Sequence, residues 1–372
     1  MDRTDKAGLY FHIPFCRGKC PYCDFYSLVS KVCTDEYIAC LCDEIKTRRR
    51  MKEFLSGDEL ISVDTVYFGG GTPSLMTGVQ LQEVISAVKS GFSVDENAEI
   101  TVECNPSSPG LQDFLQKAAA AGVNRVSLGM QSASDNERKS LGRAGGRESV
   151  ENAVYLARNA GIENISLDIM IGVPDSSISS LEKTLEFALS LGVPHISAYM
   201  LKLEEGTHFY KNQHKLHLPD EDETADMYLF MSRYLKACGF VHYEISNFCK
   251  DGCHSRHNMK YWEGAPYLGI GPAAHSFYNK KRFYFPRDIN AFINAEPAVY
   301  DGDGGDSEEE ILLGLRTVNG VALSGKNDLF IKKARLFADR GFGNITEDNR
   351  FVLSAEGYLV SNSIISALLS VY

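Results

Sequence analysis

The 372-residue chain has no uninterrupted apolar run approaching the ~18 residues that a membrane-spanning helix needs, so no transmembrane segment is expected. It also lacks an excess of positive charge: 38 basic residues face 49 acidic ones, a net charge of −11. That balance excludes a broad basic surface of the kind that holds nucleic acid. The one basic cluster, Arg48, Arg49, Arg50 and Lys52, follows a helical stretch and reads as a solvated helix end. Residues 1–8 are polar and lack the apolar core of a secretory leader. A cytoplasmic location is therefore expected, where disulfides are rare. The ten cysteines then read as thiols or metal ligands rather than crosslinks. Internal repeats and low-complexity tracts are absent as well.

What the chain does have is alternation. β-rich runs at 8–13, 63–68, 98–103, 125–129, 164–171 and 195–201 are each followed by a helix-like segment, as at 80–89, 111–121, 149–159 and 180–191. This order predicts right-handed βαβ units and a parallel sheet. Six units make an α/β fold of the incomplete (β/α)6, TIM-like kind rather than a full eight-fold barrel. The barrel is expected over 1–212. Residues 213–300 form an extension, with one helix at 220–238 and then a Gly- and aromatic-rich stretch at 243–276 that has no clear period. Asp301-Gly-Asp-Gly-Gly-Asp306 reads as a linker by composition. Residues 307–372 read helix, helix, short strand pair, helix, a small α+β winged-helix-like module.

The conspicuous residues fall where the predicted strands end. Cys16-Arg-Gly-Lys-Cys20-Pro-Tyr-Cys23 places three thiols within eight residues after the first run. Thiolates suit iron–sulfur clusters and zinc. A structural zinc site wants a fourth ligand and a closed shell, yet Asp24 follows Cys23 and Cys33 lies too far along. Three ligands leave one iron of a [4Fe–4S] cluster open. S-adenosylmethionine can chelate such an iron through its amino and carboxylate groups, and an electron from the cluster then cleaves its sulfonium bond to give a 5′-deoxyadenosyl radical.

Tyr10-Phe-His-Ile-Pro-Phe-Cys16, the cysteine triad, Gly69-Gly-Gly-Thr-Pro-Ser74 and Glu103-x-Asn105-Pro106 resemble the radical S-adenosylmethionine proteins related to oxygen-independent coproporphyrinogen III oxidase. The resemblance continues through Ser127-Leu-Gly-Met-Gln131-Ser, Leu141-Gly-Arg143, Asp168 and Tyr243-Glu-Ile-Ser-Asn-Phe248, so nearly the whole chain is covered. It implies a cluster on Cys16, Cys20 and Cys23, with Gly70, Gly71 and Thr72 at the methionyl end of S-adenosylmethionine. Glu103, Gln131, Arg143 and Asp168 would meet the ligand's polar groups, and Tyr10 and Tyr22 would contact it near the cluster. Chemically, a carboxylate pairs with an ammonium or bridges ribose hydroxyls, and a guanidinium clamps a carboxylate. The plain alternative for each polar residue is a satisfied buried group, and for the glycines a tight turn.

Within that family, the oxidases carry a further cysteine two places after the third; here the position is Phe25. His257-Asn258-Met-Lys-Tyr261-Trp262 and the following Tyr267-Leu-Gly-Ile-Gly-Pro-Ala-Ala-His275-Ser resemble instead the HemW-type haem chaperones. An imidazole beside Tyr and Trp suits an iron porphyrin, which needs an axial nitrogen and flat apolar faces. The resemblance implies haem contact by His257, Asn258, Tyr261 and Trp262, haem-receiving proteins as partners, and a low-potential electron donor. Peripheral membrane contact stays open. Two other readings remain: an oxygen-independent coproporphyrinogen III oxidase or another radical enzyme acting on a tetrapyrrole, and a zinc site built from Cys249, Cys253, His254 and His257. The chain also departs from the family, with Gly145 where a histidine is usual after Arg143, and with Ile171-Gly-Val-Pro174-Asp-Ser-Ser in place of a common Tyr-Gly-x-Pro-Gly-Gln-Thr.

Overall fold

The computed structural model describes residues 6–55 and 60–372; the polar residues 1–5 read above lie outside the described residues. Six parallel strands form the sheet expected from the alternation. They are β1 (Ala7–Ile13), β4 (Ser62–Gly70), β5 (Ser93–Cys104), β6 (Arg125–Gln131), β7 (Asn164–Ile171) and β8 (His195–Met200), paired in that order. Two short strands, β2 (Phe15–Cys16) and β3 (Leu28–Val29), pair in parallel and frame the cysteine loop. The main strands are largely buried on both faces, with polar side chains such as Thr65, Thr101, Ser127 and Ser166 among the buried ones; β1 is buried at every position but Tyr10. Each fully buried Leu, Ile, Val or Phe contributes about 1.5–3 kcal/mol relative to exposure.

Between the strands lie helices with explicit start signals. Thr77 and Gln80 form a capping box for Gly78–Gly91, and Ser177 with Ser180 does so for Ile178–Ser190. Leu111–Ala121 ends at Gly122, held in a left-handed conformation that satisfies the last carbonyls. The predicted helix at 220–238 is Glu221–Ala237, capped by Asp220 and Glu223.

The sheet continues past the six units on both edges. Beyond β8 run β10 (Asn247–Cys249) and β9 (Val241–Glu244), both antiparallel. Beyond β1 lies a seventh parallel strand, β11 (Tyr267–Ile270), whose Gly269 stands opposite Tyr10. Antiparallel β12 (His275–Tyr278), β13 (Lys281–Tyr284) and β14 (Val299–Asp303) complete that edge. Two expectations are corrected here. The stretch 243–276 contains ordered strands and the helix Arg256–Trp262. The supposed linker 301–306 begins inside β14, because pairing with β13 overrides its Gly–Asp composition. A third correction concerns the basic cluster. Arg50 is buried, 3.0 Å from the Glu44 carboxylate and stacked over Phe292. The C-terminal residues form helices around a three-stranded sheet of β15 (Val321–Ala322), β17 (Arg350–Leu353) and β16 (Gly343–Ile345).

Candidate functional site

The cysteine loop leaves the carboxyl end of β1 and is pinned from two sides. Gly71 N–H donates to the Ile13 carbonyl (2.9 Å) and Thr72 N–H to that of Phe15 (2.7 Å), while Phe209 N–H donates to the Pro21 carbonyl (2.9 Å). A Cβ on Gly71 would stand 2.6 Å from the Phe15 oxygen, and one on Gly70 (φ +108°) 2.6 Å from the His12 ring. The protein's own backbone therefore already requires these glycines, whether or not a ligand touches them. All three cysteines are free and half-buried, and Cys16 Sγ lies 3.4 Å from Thr72 Oγ1. Burial pushes the Cys23 thiol up, against the Phe25 backbone bond and the nearby Lys19, which favour the thiolate. Bound iron would settle that competition in favour of thiolate.

This donor set fits a cluster with one open iron. Asp24 is engaged by Arg287, 3.3 Å from its carboxylate, and Cys33 is buried in the core, so neither stands ready as a fourth ligand. Among the described residues no three Cys, His, Asp or Glu side chains converge on a single-ion site. A cubane spreads its thiolates over different irons, so the loop need not meet that criterion. The alternative zinc grouping of Cys249, Cys253, His254 and His257 would need to, and it does not form.

The polar residues expected at the barrel mouth do gather there. Glu103 accepts from Tyr67 OH (2.8 Å) and from Gly70 N–H (3.3 Å). Burial, with Asp168 nearby, raises its pKa to about 7. Asp168 accepts from Ser127 Oγ (2.8 Å), and burial raises its carboxyl too. Gln131 sits at φ +68°, a left-handed conformation rare for such a residue, where β6 shifts register against β7. The Arg143 guanidinium donates to the Gly129 carbonyl (3.3 Å); a Cβ at Gly129 would meet it at 2.4 Å and the Gln131 amide at 3.1 Å. Tyr10 OH donates to His12 Nδ1 (3.1 Å), because His12 Nε2 is taken as donor to the Tyr26 carbonyl (2.8 Å). Burial lowers His12 to about 4, so the ring is neutral at pH 7. Tyr22 lies within reach of Cys20 and Arg143, and burial among Leu141, Phe209 and Leu216 raises its hydroxyl.

The His257–Trp262 motif is placed differently. It forms the helix Arg256–Trp262, which plugs the amino end of the barrel. The Glu99 carboxylate accepts from the backbone N–H groups of Arg256 (3.1 Å) and His257 (3.0 Å), satisfying two donors that a helix start leaves open. Lys260 Nζ reaches Asp64 (2.7 Å) and the Lys6 carbonyl (2.8 Å). His257 is fully buried, with Thr65 Oγ1 on Nδ1 (2.9 Å) and Tyr261 OH on Nε2 (2.8 Å). Burial, with Lys260 and Arg125 close by, lowers its pKa to about 3. Neither nitrogen has a free lone pair facing solvent, so His257 is not presented as an axial ligand in this arrangement. Trp262, partly buried, packs with Tyr243, Cys249 and Met259, and Asn258 N–H is used by the Ser255 cap. Of the four motif residues, Tyr261 lines a cavity.

That cavity, of about 540 Å³, opens beside the cluster loop. Tyr10, Phe25, Tyr261, Tyr267, His275, Tyr284 and Arg287 are among its walls. The sequence reading missed Tyr284 and Arg287. The signal that leads to them is Phe25, the residue that departs from the oxidase pattern: it is 70% exposed and stands in this wall.

Comparison with known proteins bears on the family and the fold. The profile of the radical SAM superfamily matches residues 10–188. The chain is 34% identical to the haem chaperone HemW of Synechocystis sp., over 97% of this chain and 96% of that one. It is 32% identical to the haem chaperone HemW of Bacillus subtilis, over 97% and 98%. Among solved structures, coproporphyrinogen III oxidase (HemN) from Escherichia coli superposes with a TM-score of 0.79, covering 98% of this chain and 90% of that one at 19% identity. At that identity the likeness concerns the fold.

Proposed function

The chain belongs to the HemW family of radical SAM proteins, and from that premise we propose that it is a haem chaperone, which binds haem and transfers it to haem proteins. The observation that carries this reading is similarity to haem chaperones along nearly the full length of both chains. The cofactors of the superfamily, a [4Fe–4S] cluster and S-adenosylmethionine, supply when bound a one-electron donor and a sulfonium C–S bond for it to cleave. Cys16, Cys20 and Cys23 would hold the cluster, whose open iron would be left for the ligand. Glu103 would accept from the ligand's amino group, Arg143 would meet its carboxylate, and Asp168 and Gln131 its remaining polar groups. Gly70, Gly71 and Thr72 let it approach the backbone, while Tyr10 and Tyr22 wall it in. The aromatic cavity supplies flat apolar faces for a porphyrin, and His257 contributes by holding Tyr261 at that wall.

The partners in this reading are haem-receiving proteins and a low-potential electron donor. No helix among the described residues is long and apolar enough to cross a membrane. All ten cysteines are free, which suits a reducing compartment such as the cytoplasm. The competing reading, decarboxylation of coproporphyrinogen III, has the shared fold in its favour and Phe25 against it. Anaerobic reconstitution with iron and sulfide, followed by haem titration and a coproporphyrinogen assay with reductant and S-adenosylmethionine, separates the two. Haem binding without porphyrinogen turnover is expected; formation of protoporphyrinogen IX would replace the chaperone with an oxidase.

A further inference from the structure

The aromatic cavity beside the cluster loop contains an imidazole that the His257 motif does not account for. His275 opens β12 at the carboxyl end of the barrel, with 62% of its side chain exposed. Its ring stacks on Tyr284 (5.2 Å between centroids, 25° between planes). Its Nδ1 faces the Asp301 carboxylate across 4.0 Å, and its Nε2 makes no hydrogen bond among the described residues. Histidines that bind metals commonly direct the second ring nitrogen to a carboxylate, which fixes the tautomer and leaves the first nitrogen as the donor.

The backbone holds His275 firmly in place. The turn that precedes it is closed by Ala274 N–H to the Gly271 carbonyl (3.1 Å) and by Ala273 N–H to that of Phe285 (3.1 Å). Ala273, a cavity residue itself, sits at φ +65°, a conformation that costs energy for a residue with a Cβ. A Cβ on Gly269 would stand 2.2 Å from the His275 carbonyl oxygen, so that glycine is what lets β11 and β12 close at this point. Across the cavity, Arg287 offers a cation at the rim beside Asp24.

We propose that His275 is the axial ligand of the bound haem, donating through Nε2 with Asp301 behind it, Tyr284 and Phe25 against the ring faces and Arg287 meeting a propionate. This rests on the haem-chaperone reading and moves its metal ligand from the buried His257 to the exposed His275. The ligand class is an iron porphyrin rather than a metal-free one, because the imidazole can distinguish them.

The test is spectroscopic and uses the full reconstituted chain titrated with ferric haem, read by absorption and electron paramagnetic resonance. Wild type should show an imidazole-ligated signal. His275→Ala should lose it and bind haem at least ~10-fold more weakly, and added imidazole should restore the signal. His275→Gln, a milder change, should also lose the signal, with circular dichroism and cluster absorption confirming the fold. Asp301→Asn should weaken binding ~10-fold and leave the ligation type unchanged. Equal binding of haem and metal-free protoporphyrin, or a wild-type signal surviving in both His275 variants, would overturn the assignment while leaving the chaperone standing. Failure of wild type to bind haem at all would remove the chaperone reading itself.

Discussion

The two ends of the barrel are built to opposite specifications. At the amino end every nitrogen of His257 is taken, the helix that carries it is capped by Glu99, and Lys260 is tied to Asp64 and to Lys6. At the carboxyl end Cys16, Cys20 and Cys23 are free, burial raises the carboxyl pKa values of Glu103 and Asp168, and His275 keeps an open nitrogen. The difference is clearest at the histidine and the thiols: buried polar groups with all partners present stabilise and specify the fold, whereas the cysteines and His275 keep donor atoms available to a ligand. Both ends contain a histidine beside aromatic rings, and only the count of its partners tells which is a plug and which a site.

The sharpest way to break this contrast is to remove a thiol. Cys20→Ala should reduce iron and sulfide from about four per chain to near zero after reconstitution, measured by chemical analysis and loss of visible absorption. Stoichiometric zinc without sulfide in the wild type would refute the cluster assignment.

Removing the plug should act on stability. His257→Ala leaves Thr65 and Tyr261 without their shared partner and opens a buried void, at a cost of about 2–4 kcal/mol. Urea unfolding of the variant measures this. A variant as stable as wild type would show that the amino end does not depend on this network.

Glu103 sharpens the other side through pH. Its folded pKa, about 7, lies above the ordinary carboxyl value of 4.5. Between those values the unfolded chain has lost this proton and the folded chain keeps it. The group's contribution to stability therefore falls as pH rises from about 4.5 and levels off above about 7. Accepting from the ligand's amino group needs the ionised carboxylate, so affinity for S-adenosylmethionine should rise roughly tenfold from pH 6 to pH 8. Glu103→Gln should flatten that profile; a profile unchanged by the substitution would place the amino group elsewhere.

The smallest effect is expected at Phe25. Its exposure means Phe25→Ala should alter stability by no more than about 0.5 kcal/mol. Lost ring contact should still weaken haem binding a few-fold, by about 1 kcal/mol, read by absorption titration. No change in affinity would take Phe25 out of the haem wall.

Much of the barrel was legible because its strands carry local signals. Apolar runs bounded by helix caps mark β4 to β8, and the cysteine spacing marks the loop. The edge strands were not legible. Tyr267 pairs with Gly8 at the far end of the chain, and β14 is a strand by virtue of β13, whatever its own Gly–Asp composition suggests. The spatial arrangement of the motif was not legible for a related reason. In sequence, His257, Tyr261 and Trp262 look like one ligand surface. On a helix, positions four apart share a face and the fifth turns away. Tyr261 therefore contacts His257, and Trp262 packs against Met259 and Tyr243. The free imidazole eighteen residues later carried no local mark beyond its place in the Tyr267–Ser276 stretch.

Hydrogen–deuterium exchange of the reconstituted protein, with and without one equivalent of haem, tests the division between the two ends most directly. Protection should appear at 22–27 and at 267–287, around the cavity, with exchange at 255–262 unchanged. Protection centred on 255–262, with the cavity segments unaltered, would put the haem at the plugged end and contradict the account.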